Sequence, residues 1–135
     1  MDKLSPKRRS DLMSRIRSKD TAPEIAARAL LQGLGIRYRL QAKDLPGRPD
    51  IVNRKRRFVI FVHGCFWHGH SCKRGARPTS NVIFWNTKLT KNRARDRATV
   101  AALKADGWRV LTIWECELKK PKRLLTRVRA WSARL

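Results

Sequence analysis

The alternation of Ile36, Tyr38 and Leu40 with Arg37, Arg39 and Gln41 has the two-residue period of a half-buried strand. Other periods flank it. Ser5-Pro6 opens a basic helix to about residue 18 whose only apolar marks are Leu12, Met13 and Ile16. So thin a face predicts either weak packing on the body or an arm, residues 1–20, that orders on its partner. Thr21-Ala-Pro-Glu24 fits a capping box, and the helix it opens carries Ile25, Ala29, Leu30 and Leu34 before Gly33 and Gly35 end it. After the loop Asp44-Leu-Pro-Gly-Arg-Pro49, Asp50-Ile-Val predicts a short strand and Asn53-Arg-Lys-Arg56 a polar turn. Residues 57–63 are almost continuously apolar, as expected of a central strand. A loop with glycines and proline reaches about Ser80, and a long basic helix follows to Gly107 with Trp85, Leu89, Val100 and Leu103 as inner positions. Residues 108–114 read as another apolar strand, and Leu124, Val128 and Trp131, at i, i+4 and i+7, as a closing amphipathic helix. There is no internal repeat, low-complexity tract or linker, so the pattern predicts one α/β domain over residues 1–135.

Charge changes the picture most. The chain has 33 Lys and Arg against 10 Asp and Glu, a formal charge of +23, which selects a polyanion as partner. No apolar run approaches membrane-spanning length, and Met1-Asp-Lys-Leu-Ser5 does not resemble a signal peptide, so an intracellular setting is expected. An odd number of cysteines, three, does not suit a disulfide framework there; metal ligation suits it better.

All three histidines and two of the cysteines fall between His63 and Cys72. Cys65, His70, Cys72 and Cys116 form a three-thiolate, one-imidazole set suited to tetrahedral Zn²⁺ with no open position, hence a structural zinc site that orders an irregular loop. The spacing is not a common finger pattern, and from chemistry alone His68 is an alternative to His70 as fourth ligand. His70 is preferred for its place two residues from Cys72.

Asp50 begins one strand and His63 ends the next, so a hairpin-like pairing brings their ends together. A carboxylate among backbone carbonyls suits Mg²⁺ when substrate phosphate supplies further ligands, although an aspartate after proline is also an ordinary turn residue. Capping alone explains Glu24, and an ion pair along the helix explains Asp96 between Arg95 and Arg97. His63 and His68, left over after zinc, are candidates for acid–base work, since an unperturbed imidazole titrates near neutral pH. Two imidazoles near an acidic metal position in a basic field point to phosphodiester hydrolysis. Phe66 and Trp67, with Trp85, are candidates to wedge into a duplex, Trp85 being equally a core candidate. Lys88, Lys91, Arg93, Arg95 and Arg97 are candidate phosphate contacts.

Several segments together carry a resemblance. Leu45-Pro-Gly-Arg-Pro-Asp50, Phe61-Val-His-Gly-Cys-Phe-Trp-His68 with His70 and Cys72, Phe84-Trp85, Asn92, Arg95-Asp-Arg97, Gly107-Trp-Arg-Val110 and Trp114-Glu-Cys116 closely resemble the very short patch repair (Vsr-type) DNA mismatch endonucleases, over roughly residues 7–120. The resemblance implies a restriction-endonuclease-like fold, a PD-(D/E)xK variant with a central mixed sheet flanked by helices. It implies nicking of one strand, 5′ to the T of a T:G mismatch left by deamination of 5-methylcytosine. Asp50 would be the main Mg²⁺ ligand with the backbone carbonyl of Val62. The family pattern has Thr at that position, so a backbone role survives here and a hydroxyl role does not. His68 would activate water, His63 would serve the phosphate or leaving group, and Glu24 and Asp96 would be orienting acids. Met13 and Ile16 would insert from the opposite groove. Further expectations are a bacterial, cytoplasmic, nucleoid-associated monomer, a CC(A/T)GG-like context, and transient contact with mismatch-repair proteins and a repair polymerase.

Two readings compete with this one. They are a non-enzymatic zinc-stabilised nucleic-acid binder, including an RNA- or ribosome-associated one, and a nuclease of the same fold cutting matched DNA. A binder has no need of Asp50, His63 and His68.

Overall fold

A computed structural model describes residues 21–135. The expected N-terminal helix, with Met13 and Ile16, lies outside the described residues. The described residues begin with α1 (Ala22–Gly33), whose N-cap is the expected Thr21: Glu24 N–H donates to Thr21 Oγ1 at 3.4 Å, and Gly35 beyond the helix has φ +72°. Its inward face differs from the expected one. Glu24, Ala27 and Leu31 are buried, whereas Ile25 is 52% exposed and Ala29 is exposed as well. With Glu24 turned inward, the positions three and seven residues on follow it, and Ile25 falls about 100° round the helix.

Three antiparallel strands come next: β1 (Arg39–Leu40), β2 (Ile51–Asn53) and β3 (Phe58–His63). The strand expected from Ile36 shrinks to two exposed residues because it is an edge, ended by Gln41 at φ +57°. Asn53 Oδ1 accepts from Arg56 N–H at 2.9 Å and shapes the turn into β3. The long helix α2 (Val82–Ala105) then crosses over to β4 (Arg109–Trp114), which pairs parallel to β3 from Phe58↔Arg109 to His63↔Trp114. The order is β1-β2-β3-β4 in one mixed sheet.

Helices cover both faces, and β3 shows why its sequence is apolar throughout. Phe58 and Ile60 pack with Ala27 and Leu31 of α1 and with Leu124 and Val128 of α3 (Pro121–Ser132). Val59 and Phe61 point the other way, to Leu103 of α2 and Trp108. Trp131 meets Phe58 edge to face at 5.3 Å. Trp85 and Val100, two of the inner positions expected of α2, are only partly buried; Leu89 and Leu103 are the buried ones. The chain ends of β3 and β4 and the start of β2 therefore lie at one end of the sheet, with a long basic helix alongside.

Candidate functional site

At that end β3 runs directly into tight turns. His68 N–H donates to Gly64 O, Gly69 N–H to Phe66 O and His70 N–H to Cys65 O, at 2.9–3.2 Å, so the chain curls back on itself within six residues. Glycine is required twice. Gly69 has φ +59° beside the Arg93 side chain, and a Cβ on Gly75 would lie 1.8 Å from the His70 carbonyl oxygen. The curl delivers Cys65, His70 and Cys72 to Cys116, which sits in a short 3₁₀ turn (Glu115–Lys119) after β4.

The donor atoms of Cys65, His70, Cys72 and Cys116 all lie within 4.8 Å of one another. Cys116 N–H donates to Cys65 Sγ at 3.3 Å, Cys116 Sγ stands 3.6 Å from His70 Nδ1, and Trp114 stacks on the His70 ring at 4.1 Å. Burial pushes the Cys65 thiol up to about 12 and raises Cys116 too, so in the bare protein these sulfurs keep their protons. A cation reverses that balance by binding thiolates. Glu117 holds the Cys116 turn in place: it accepts from Trp114 N–H at 3.0 Å and takes two bonds from Arg127 of α3, at 2.7 and 2.8 Å.

His68 belongs elsewhere. Its Nδ1–H donates to Asp96 Oδ2 on α2 at 2.6 Å, and its ring stacks on His63 at 3.7 Å with the planes 1° apart. Asp96 thus departs from the expected helix ion pair; its carboxylate faces a histidine 28 residues away. His63, Asp96, Arg93, Arg97 and Trp114 share a cleft of about 450 Å³ with His68. Burial drives the His63 pKa down to about 4, with repulsion from His68 adding to it, so this ring is neutral at pH 7. His63 Nδ1 is buried and has no hydrogen-bond partner among the described residues.

Asp50 lies at the start of β2, where its Oδ2 accepts from Val62 N–H at 2.7 Å. Burial raises its pKa to about 6; the Val62 bond opposes this, Glu24 adds repulsion, and Arg28 offsets part of it. Glu24 is only 6% exposed and Arg28 Nη2 donates to its Oε2 at 3.2 Å. Capping accounts for the Glu24 N–H but not for a carboxylate buried near Asp50, a place that suits the orienting acid the family resemblance implied; sequence reasoning missed Arg28, despite its i+4 spacing from Glu24. The metal-capable group His63, His68 and Asp96 does not include Asp50.

Beside the cleft, Phe66, Trp67, Trp85 and Phe84 form an aromatic cluster with ring separations of 5.1–6.0 Å. Trp85 is part of this cluster and not of the core. Trp67 is 48% exposed and Ile83, which sequence reasoning passed over, is 84% exposed. Asn92 of α2 ties the turn down by donating to Trp67 O at 2.8 Å. Lys88 Nζ stands 5.3 Å from the Trp67 ring, and Lys88, Lys91, Arg93, Arg95 and Arg97 are all exposed along α2.

The family model for "DNA mismatch endonuclease Vsr" matches residues 1–74, a stretch that contains Asp50, His63, His68 and three of the four clustered metal donors. The chain belongs to the Vsr family. It is 55% identical over 128 residues to the type II nicking enzyme V.XorIIP of Xanthomonas oryzae pv. oryzae, covering 95% of this chain and 94% of that protein. It is 47% identical to the type II nicking enzyme V.NmeAIP of Neisseria meningitidis, over 87% of this chain and 84% of that one. It is 46% identical to the DNA mismatch endonuclease Vsr of Escherichia coli K12, over 86% and 74%. Membership in the Vsr family makes this a DNA endonuclease of mismatch repair. No described helix is long and apolar enough to cross a membrane.

Proposed function

We propose that this Vsr-family protein nicks one DNA strand 5′ to the T of a T:G mismatch left by deamination of 5-methylcytosine, starting very short patch repair. The observation that carries the reading is adjacency: an oriented His68–Asp96 pair, 2.6 Å apart, opens beside a half-exposed aromatic cluster on a helix lined with cations. The names of the relatives, nicking enzymes and a mismatch endonuclease, support a single-strand cut at a mispair.

Asp96 holds Nδ1–H of His68, which leaves Nε2 as the lone-pair nitrogen that takes a proton from attacking water. His63, neutral at pH 7, offers a hydrogen bond to the phosphate or leaving oxygen without adding charge. Asp50, with the Val62 carbonyl, is the position for Mg²⁺; a buried carboxylate repelled by Glu24 is a fitting place for a hard dication. When bound there, Mg²⁺ supplies Lewis-acid stabilisation of charge on the phosphate oxygens. Glu24 and Asp96 orient, the first through Arg28 and Asp50, the second through His68. Zn²⁺ is the ion for Cys65, His70, Cys72 and Cys116, since a three-thiolate, one-imidazole set suits it and keeps no open position.

Phe66, Trp67 and Trp85 wedge beside the mispair, where weaker stacking lowers the cost of insertion. Met13 and Ile16 approach from the other groove. Lys88, Lys91, Arg93, Arg95 and Arg97 grip phosphates. The mixed sheet with helices on both faces and the site at one end supports a restriction-endonuclease-like fold in a single domain. The protein works as a monomer in the bacterial cytoplasm, at the nucleoid, in a CC(A/T)GG-like context, with transient contact to mismatch-repair proteins and a repair polymerase; an asymmetric lesion offers no two-fold site.

Asp50→Ala and His68→Ala test the division of labour. Each is expected to abolish nicking of a T:G duplex while leaving its affinity within about threefold of wild type. Undiminished nicking in Asp50→Ala would overturn the assignment.

A further inference from the structure

His63, His68 and Asp96 offer three donor atoms within 4.8 Å of one another, on a cleft of about 450 Å³, and nothing said so far makes them ligands. Two imidazoles and one carboxylate are a poor set for Mg²⁺, which prefers oxygen, and a good set for borderline first-row dications. A second observation points the same way. His63 Nδ1 is buried in a residue 9% exposed and has no hydrogen-bond partner among the described residues. A buried nitrogen left unsatisfied in a native fold calls for an explanation, and a bound ion is one of the few available.

We propose that His63, His68 and Asp96 form a second transition-metal site, open to solvent, that takes a borderline dication such as Zn²⁺ or Co²⁺ and is distinct from the thiolate cluster and from Asp50. The three ligands leave coordination positions for water or phosphate, unlike the closed Cys-His set. Occupancy requires the ring stack to open, because parallel planes share no in-plane point at the roughly 2.0–2.1 Å of a metal–imidazole bond. His68, with a quarter of its side chain exposed, is the ring that tilts, since His63 is the more deeply buried of the two. The ion replaces the proton shared between His68 Nδ1 and Asp96 Oδ2. That proton moves to Nε2 as the tautomer shifts, so no net proton is released by His68.

One consequence rests on the function proposed above. With Nε2 protonated, His68 no longer accepts a proton from water, and Zn²⁺ beyond one equivalent inhibits nicking in step with occupancy of this site. Binding at this site does not depend on that function and is measured without it.

Protein loaded with one Zn²⁺ per chain is titrated with Co²⁺ and followed by visible absorption and by metal content. The wild type should bind one further Co²⁺ whose spectrum lacks thiolate-to-metal charge transfer. His68→Asn and Asp96→Asn should each lose it while keeping the first equivalent of zinc and the wild-type circular dichroism, and Asp50→Ala should retain it. Absence of a second Co²⁺ in the wild type, its survival in both His68→Asn and Asp96→Asn, its loss in Asp50→Ala, or the appearance of a thiolate charge-transfer band would each overturn the proposal. Nicking measured separately on a T:G duplex distinguishes a failure of this site from a failure of the nuclease reading.

Discussion

Asp50 holds its proton up to about pH 6 because burial disfavours the charge; the Val62 N–H works against burial, and repulsion from Glu24 reinforces it. Below pH 3.8 the carboxyl is protonated in the folded and the unfolded chain alike. As pH rises through about 6 the folded chain is the later to ionise, and Asp50 reaches its full destabilising effect only above that. Asn in its place still accepts from Val62 N–H and carries no charge. Asp50→Asn should therefore raise the stability of the Mg²⁺-free protein at pH 7.5 by on the order of 1–3 kcal/mol, an advantage that fades towards pH 4. Thermal melts of the two proteins across that range check it, and equal stability at pH 7.5 would contradict the burial argument. The same residue is the one whose loss should stop nicking, so stability and activity pull in opposite directions at this position.

The elements were legible in the sequence wherever a period or a cap marked them. Thr21 announced α1, the apolar run before His63 announced a strand buried on both faces, and Leu124, Val128 and Trp131 announced α3. Ile25 misled because an amphipathic stripe is ordinarily apolar, while here a carboxylate, Glu24, occupies the inward face. Trp85 was equally a candidate for the core and for a wedge with Phe66 and Trp67, and the curl after β3 decides between them by setting those two rings against it. The crowding of ligand types between His63 and Cys72 was visible as a list, and the place of His70 two residues from Cys72 already favoured it over His68 as the fourth donor, as the geometry has it. The pairing of His68 with Asp96 was not visible, since that contact joins residues 28 apart in the chain. The curl itself depends on Gly75, where a methyl group meets backbone that cannot move aside. Gly75→Ala should cost about 2–4 kcal/mol and lower the metal content of the purified protein, whereas a fully loaded, equally stable variant would show the turn to be more tolerant. Metal analysis alongside denaturant titration measures both.

Across the whole molecule, one end of the sheet gathers acids, imidazoles and aromatics, and α2 runs a line of cations past them. The five phosphate contacts proposed for that helix imply a slope of log affinity against log salt of roughly −4 to −5, and Lys91→Ala should flatten it by about 0.9 whatever the duplex sequence. Fluorescence anisotropy at several salt concentrations gives the slope; one near zero would remove α2 from the interface. In the function proposed above, cations supply grip without choice, and choice is left to the aromatic wedge and the mispair. Cleavage of end-labelled duplexes, T:G beside T:A in the same flanking contexts with Mg²⁺ present and mapped at nucleotide resolution, is the direct measure of that choice. A single break immediately 5′ to the mismatched T and none in the matched duplex is expected; equal cutting of both, or binding with no break in any context, would contradict mismatch-directed nicking.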